Sequence, residues 1–258
     1  MAFKLGDIVV DRILLGVAEN FDGDILYILS QLADGTIDIT AESKDAVDAT
    51  GTLVKRFWQG KTGTFTANNA MLNVNIIAAK SGVDVITATT EVPVDMPKIL
   101  VVNKGETHTL KDYVEGTVRV YAYANGVQGE EYASGTSASA TEYALTEEGV
   151  LTLPADEDEV QFIIKYQRKV SAGTVVKNLA DKFPKTIKLT LKVLAVDPCQ
   201  ADTLKAAYIE MPSFQPSPEL SVNFTTDAQL EYSGDLQVAY CDTEKVLFNF
   251  YWADEDEE

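Results

Sequence analysis

The chain is poor in the groups that most enzymes and exported proteins rely on: one histidine, two cysteines, eight prolines, and no apolar run long enough to cross a bilayer. The single imidazole, His108 in Lys104-Gly-Glu-Thr-His-Thr-Leu110, has no companion, so a Ser/His/Asp or paired-His mechanism has no base to build on. It reads as a surface or turn residue. A Cys/His dyad would need Cys199 or Cys241 to meet it, and neither cysteine has the basic neighbours or helix start that activates a thiol. Two cysteines are also too few for a disulfide framework. They read as reduced thiols of a soluble protein made in cytoplasm, with a single disulfide between them as the alternative. The opening Met1-Ala-Phe-Lys-Leu-Gly-Asp7 lacks the basic-then-apolar order of a secretory leader, and the best apolar stretch, Ile8 to Val17, is interrupted by Asp11 and Arg12. Phosphate cradles are missing as well. Gly60-Lys61-Thr62 has the end of a Walker-type loop, but Lys55 or Arg56 stands where the earlier glycine is required.

Positive charge is the next scarcity. Against 21 Lys and Arg stand 40 Asp and Glu, a formal charge of −19 over 258 residues. Such a surface repels nucleic acid, anionic lipid and copies of itself, so a partner must be met through strand edges, apolar patches or local complementary charge. One cluster runs against the trend: Lys55-Arg56-Phe57-Trp58 pairs two cations with two aromatics. Nucleic-acid sites use that pairing, but here it stands alone in an acidic chain and fits a protein contact better, above all with an acidic copy of the same chain.

Carboxylates are so numerous that some pair must lie close, which makes a glycosidase-like pair uninformative. The aromatics fall at strand spacing, as in Tyr121 and Tyr123 or Phe248 and Phe250, where burial in a core or interface is the ordinary reason. Asp22-Gly-Asp24 and the run Asp156 to Glu159 offer oxygen ligands for calcium, yet neither fits a helix-flanked loop and both read as solvated turns. The tail Ala253-Asp-Glu-Asp-Glu-Glu258 reads as a charged, fraying terminus. The expectation is a protein without catalytic residues, metal or cofactor, and with no membrane partner.

What the chain has is β pattern. Period-two segments of β-branched and aromatic residues recur at Ile25 to Leu32, Thr36 to Thr40, Gly63 to Ala67, Lys98 to Asn103, Thr117 to Ala124, Val160 to Tyr166, Thr186 to Ala195, Lys205 to Met211, Glu219 to Thr225, Gln229 to Ala239 and Lys245 to Trp252. Ala33-Asp34-Gly35 between the first two predicts a tight hairpin. Asn68-Asn69 through Lys80-Ser-Gly82, with an Asn cap, helical apolar spacing and a Gly stop, predicts one helix that closes the end of a sandwich through Met71, Leu72 and Ile76. Lys177 to Lys182 suits a single turn. Two prolines in Glu91-Val-Pro-Val-Asp-Met-Pro97 and the segment Asn178 to Lys185 mark boundaries, and Gly126 to Ser139 reads as a mobile loop or hairpin tip. The expected organisation is residues 1–97 plus 171–258 as one β domain with residues 98–170 inserted as a small β module, Ig-like or similar. Two consecutive β domains split near residue 97 are the alternative.

The run Ile37-Asp-Ile-Thr-Ala-Glu42 through Phe57, then Gly60-Lys-Thr-Gly-Thr-Phe-Thr66 and the short helix, resembles the start of bacteriophage tail tube proteins. Ala207-Tyr-Ile-Glu-Met-Pro212 to Pro216, then Phe224 to Ser233 and Tyr240-Cys-Asp242, is similar to the closing strands of such virion proteins. The resemblance spans about residues 25–90 and 185–252. It implies a tail-tube-like β-sandwich or split barrel whose copies form rings, commonly hexameric, that join strands edge to edge and stack into a tube. It implies as partners the chain itself and other phage tail proteins, with DNA passing through unbound, and as location the virion tail, assembled in host cytoplasm. The loop Ser43 to Gln59 would reach a neighbour, with Lys55, Arg56, Phe57 and Trp58 as anchors. Asp38 and Glu42 would line the bore, where negative charge repels DNA over about 8 to 10 Å. Two rivals stay open: a capsid decoration protein or adhesin, and a carbohydrate-active or lectin-like domain.

Overall fold

The computed structural model describes residues 8–30, 32–69, 73–156, 161–196, 198, 204–222, 229–238 and 243–252. The chain separates into two compact units, residues 1–85 with 176–258, and residues 86–175. In chain order the first unit begins with β1 Val9–Glu19, β2 Ile25–Leu29, β3 Leu32–Val47, β4 Leu53–Asn69 and helix α1 Val74–Ser81. The second holds β5 Ile86–Ala88, β6 Val94–Asn103, β7 Thr107–Thr109, β8 Arg119–Ala124, β9 Val127–Gly135, β10 Glu142–Leu145, β11 Val150–Thr152, β12 Gln161–Val170 and β13 Gly173–Val175. The first unit resumes with β14 Ile187–Val196, β15 Leu204–Pro216, β16 Leu230–Leu236 and β17 Asn249–Trp252. The protein is mainly β, with one short helix among the described residues, as expected.

The first unit is one eight-stranded sheet in the order β2-β1-β14-β15-β16-β4-β3, with β17 added beside β15. Strand β14 shows why it buries one face: Ile187, Leu189, Leu191, Val193 and Ala195 are all within 3% exposure, while the residues between them are half-exposed. The sheet curls into a half-barrel. Tyr27 on β2 and Tyr232 on β16 are not strand neighbours, yet their hydroxyls meet at 2.7 Å inside it. Phe65 on β4 and Phe214 on β15 pack edge to face at 6.1 Å in the same core. On the outer face Glu210 accepts from Lys188 Nζ at 2.7 Å and from the Tyr251 hydroxyl at 2.8 Å. Lys188 holds the Glu210 carboxyl below its usual range.

Helix α1 starts later than the sequence predicts. Asn73, not Asn68 or Asn69, is the N-cap, its side chain accepting from the Asn75 amide at 2.9 Å, because β4 continues through Asn69 paired with Leu230. Gly82 ends the helix with φ 65°, and a Cβ there would lie 2.2 Å from the Phe183 carbonyl oxygen. Ile76 is fully buried against the half-barrel, and the buried Lys80 donates to the Glu231 carbonyl at 3.0 Å. Met71 and Leu72 lie outside the described residues, as do Cys199, Cys241, Glu157 to Glu159 and the tail from Ala253.

Several expectations are overturned. Asp34-Gly35 does not turn a hairpin: β2 pairs with β1, and β3 runs through both residues paired to β4. The register passes from Ala33↔Asn68 to Thr36↔Thr66, so one extra residue is absorbed as a bulge, with Asp34 taking φ 53°. Positive φ at Asp is read equally by a turn and a bulge. Val9–Glu19 is a strand although Asp11 and Arg12 interrupt its apolar run. The segment read as a mobile loop or hairpin tip contains β9, which returns antiparallel to β8 across the Asn125-Gly126 turn and lies parallel to β10 on its other side, so Gly126 does sit at a hairpin tip while the rest is strand and not loop. Residues 219–222 are not strand, and the last strand begins at Asn249 rather than Lys245. At Lys177 to Lys182 a single turn forms, with the Lys182 amide donating to the Leu179 carbonyl at 3.2 Å.

The second unit has a seven-stranded sheet, β6-β12-β8-β9-β10-β11-β7, and a two-stranded pair β13-β5. Its own core is built from Val120, Ala122, Tyr132, Tyr143, Leu151, Phe162 and Ile164.

Candidate functional site

Two surfaces of the first unit stand out, and both are on the β3–β4 pair. The segment expected to be a loop, Ser43 to Gln59, is instead the far part of a long antiparallel hairpin, paired from Leu32↔Asn69 to Val47↔Leu53. The correction has a local cause. Asp48 closes the end as an Asx-type turn, its Oδ1 accepting from the Thr50 amide at 2.8 Å, the Thr50 hydroxyl at 2.7 Å and the Thr52 amide at 2.9 Å. Those hydrogen bonds, led by Thr50, hold the Asp48 carboxyl below its usual range. Gly51 supplies the positive φ, 86°.

From Thr40 to Thr62 this hairpin has no buried residue on either strand. Val47, Leu53, Val54, Phe57 and Trp58 are all more than half exposed. Arg56 makes a two-point contact with Asp45 across the strands, Nε to Oδ1 at 2.7 Å and Nη2 to Oδ2 at 2.9 Å. Lys55 Nζ lies 5.3 Å from the Phe57 ring centre, and Arg56 Cζ 5.9 Å from that of Trp58. The four residues singled out in sequence therefore sit together on the arm, each aromatic under a cation.

The second surface is the outward face at the hairpin's base. Directly paired residues share a face, so Asp38↔Thr64↔Asp235 and Thr36↔Thr66↔Ser233 form rows across β3, β4 and β16. With Thr40 opposite Thr62, their hydroxyls 2.9 Å apart, and Glu231 one row further, the face consists of hydroxyls and carboxylates with no Lys or Arg among these nine positions. Glu42, two residues beyond Thr40, continues the line on β3. Sequence reasoning picks out Asp38 and Glu42 but not Asp235 and Glu231, because pairing of β16 with β4 cannot be read from local pattern.

Residues 9–245, more than nine-tenths of the chain, match the YomU/Tube protein family. The chain belongs to that family. It is a phage-derived family of tube proteins, so this is a phage tube protein, a component of the virion tail. No curated protein matches the chain.

The other candidate residues of this tube protein are held in local contacts. Asn20 organises the turn with Asp22 and Asp24, its Oδ1 accepting from both amides at 3.0 and 2.8 Å and its Nδ2 donating to Asp24 Oδ2 at 2.9 Å. Asp156 Oδ2 accepts from the Tyr132 hydroxyl at 2.8 Å. His108 lies on β7 with Nε2 3.5 Å from Glu106 Oε2. Among the described residues no three His, Cys, Asp or Glu side chains are grouped as metal ligands, and no helix is long and apolar enough to cross a membrane. A cavity of about 410 Å³ lies between α1 and β2, lined by Leu26, Tyr27, Ala78, Val83, Asp84 and Lys185 among others.

Proposed function

We propose that this tube protein is a non-catalytic structural subunit whose copies close into rings, six-fold as is common for phage tubes, that stack into a conduit for DNA. The observation that carries the reading is the β3–β4 hairpin: a strand pair that extends beyond the core with its apolar residues uncovered has no stabilising role in the isolated chain. It requires a partner. Among the described residues the two ends of the sheet order, β2 and β3, each pair on one side only, so each offers an edge to a neighbouring copy. Joining one end of the sheet to the other end of the next copy is a head-to-tail contact, which closes into a ring when the rotation allows. Lys55, Arg56, Phe57 and Trp58 would anchor the contact between copies.

The hydroxyl and carboxylate face with Asp38 and Glu42 would line the bore. The nine positions at the hairpin's base give phosphates no cation to bind, and their carboxylates repel them. DNA would pass as cargo, assembly would occur in the host cytoplasm, and other tail proteins would cap the two ends. Negative-stain microscopy of the purified full-length chain tests the reading. Rings or tubes support it, whereas a monodisperse monomer or trimer points to a decoration protein and refutes it.

A further inference from the structure

The hairpin arm carries the same adhesive set twice. Successive residues of a strand project to opposite faces, so Lys55 and Phe57 on β4 lie on one side and Arg56 and Trp58 on the other, while Leu53, paired with Val47 beyond a register shift that leaves Val54 unpaired, joins the Arg56 and Trp58 side. Each face thus holds one cation and one aromatic, and each cation lies over the aromatic of its own face. A strand that rests on a single surface is apolar on that side and polar on the other. This one has no side suited to water. Phe57 and Trp58, on opposite faces, are 52% and 65% exposed.

Charge selects the partner. Residues 43–61 hold four cations, Lys44, Lys55, Arg56 and Lys61, against two acids, Asp45 and Asp48, in a chain whose net charge is −19. The arm is complementary to the surface of its own kind. We propose that it acts as a wedge between two further copies of this chain, one seated on the Lys55-Phe57 face and the other on the Arg56-Trp58 face. The inference rests on the tube-subunit reading and adds the number of partners to it. Each arm then fits only at a joint between adjacent copies, so a layer must assemble side by side before it can receive the next.

The test uses the full-length chain with a benzophenone amino acid replacing Phe57 in one preparation and Trp58 in another, assembled, irradiated and mapped by mass spectrometry. A wedge gives intermolecular adducts from both positions, mapping to different segments of the chain. Adducts from one position only, or from both to the same segment, overturn it. As a second measurement, Phe57→Ser and Trp58→Ser should each lower tube yield about ten-fold or more. Because both side chains are exposed, monomer melting should stay within about 2 °C of the parent. Full assembly of either variant overturns the wedge and leaves the tube reading standing, whereas a parent chain that never assembles refutes both.

Discussion

The curl of the half-barrel is held by the buried hydroxyl pair Tyr27–Tyr232, and removing one member at a time yields a sharp prediction. Tyr232 is fully buried and Tyr27 is 8% exposed, with the oxygens 2.7 Å apart. Tyr27→Phe strands the Tyr232 hydroxyl in a dry core, at a cost of about 2–3 kcal/mol, the upper part of the range for an orphaned buried polar group. For a chain of this size each kcal/mol lowers Tm by about 2–4 °C, so the first unit should melt roughly 4–12 °C lower. Tyr232→Phe should cost less, about 1 kcal/mol, because Tyr27 keeps some solvent contact and lines the cavity beside α1. The double variant orphans nothing and should lie within about 1 kcal/mol of the parent, less than the sum of the singles. Thermal and urea unfolding at a concentration where the chain is monomeric measure this, since assembly would add its own stabilisation.

The same pair fixes an alkaline limit. Burial pushes Tyr27 up to about 12 and Tyr232 well above its ordinary value. In the unfolded chain both titrate near 10, so the folded state holds phenol protons that the unfolded state releases. Their contribution is intact below about pH 10 and is lost as pH rises through about 12. The double Phe variant should show a shallower alkaline decline. Single variants without effect, or a double variant as poor as the sum of the two, would refute the reasoning.

Gly82→Ala should destabilise the first unit by about 1–3 kcal/mol or more in urea unfolding, since alanine at φ 65° is strained and its Cβ would meet the Phe183 carbonyl; a change under about 0.5 kcal/mol would contradict the packing. Asp48→Ala should speed amide exchange at the tip of the arm, residues 46–54, while global melting is unchanged; uniform exchange would deny the turn its local role. Asp38→Lys with Glu42→Lys should yield tubes that retain duplex DNA at low salt and release it as salt rises, where parent tubes retain none. Tubes indifferent to the change would place those residues away from the bore.

The strand content, the inward faces of β12 and β14 and the glycine stop of α1 are legible in sequence because alternation and capping are local signals. Strand Val9–Glu19 escapes a local reading since Asp11 and Arg12 are exposed, and charges at an exposed end cost a strand nothing. The Asp34-Gly35 bulge looks like a turn because the two share a dihedral signal and only the distant pairing partner decides. Lys55 to Trp58 stand out by composition alone. That they lie on two faces of a hairpin does not, since the acidic and small residues from Ser43 to Thr52 mask its period and the Asp48 turn becomes visible only through its hydrogen bonds. The acidic face is half legible. Asp38 and Glu42 belong to one strand, whereas Asp235 and Glu231 join them through a pairing more than 160 residues away.

A side-chain-resolution image of the assembled full-length chain tests the central claim most directly. The account predicts stacked rings with Asp38 and Glu42 facing the lumen and each arm from Leu53 to Trp58 held between two copies. Copies that remain separate, or tubes with this carboxylate face turned outward, would contradict it.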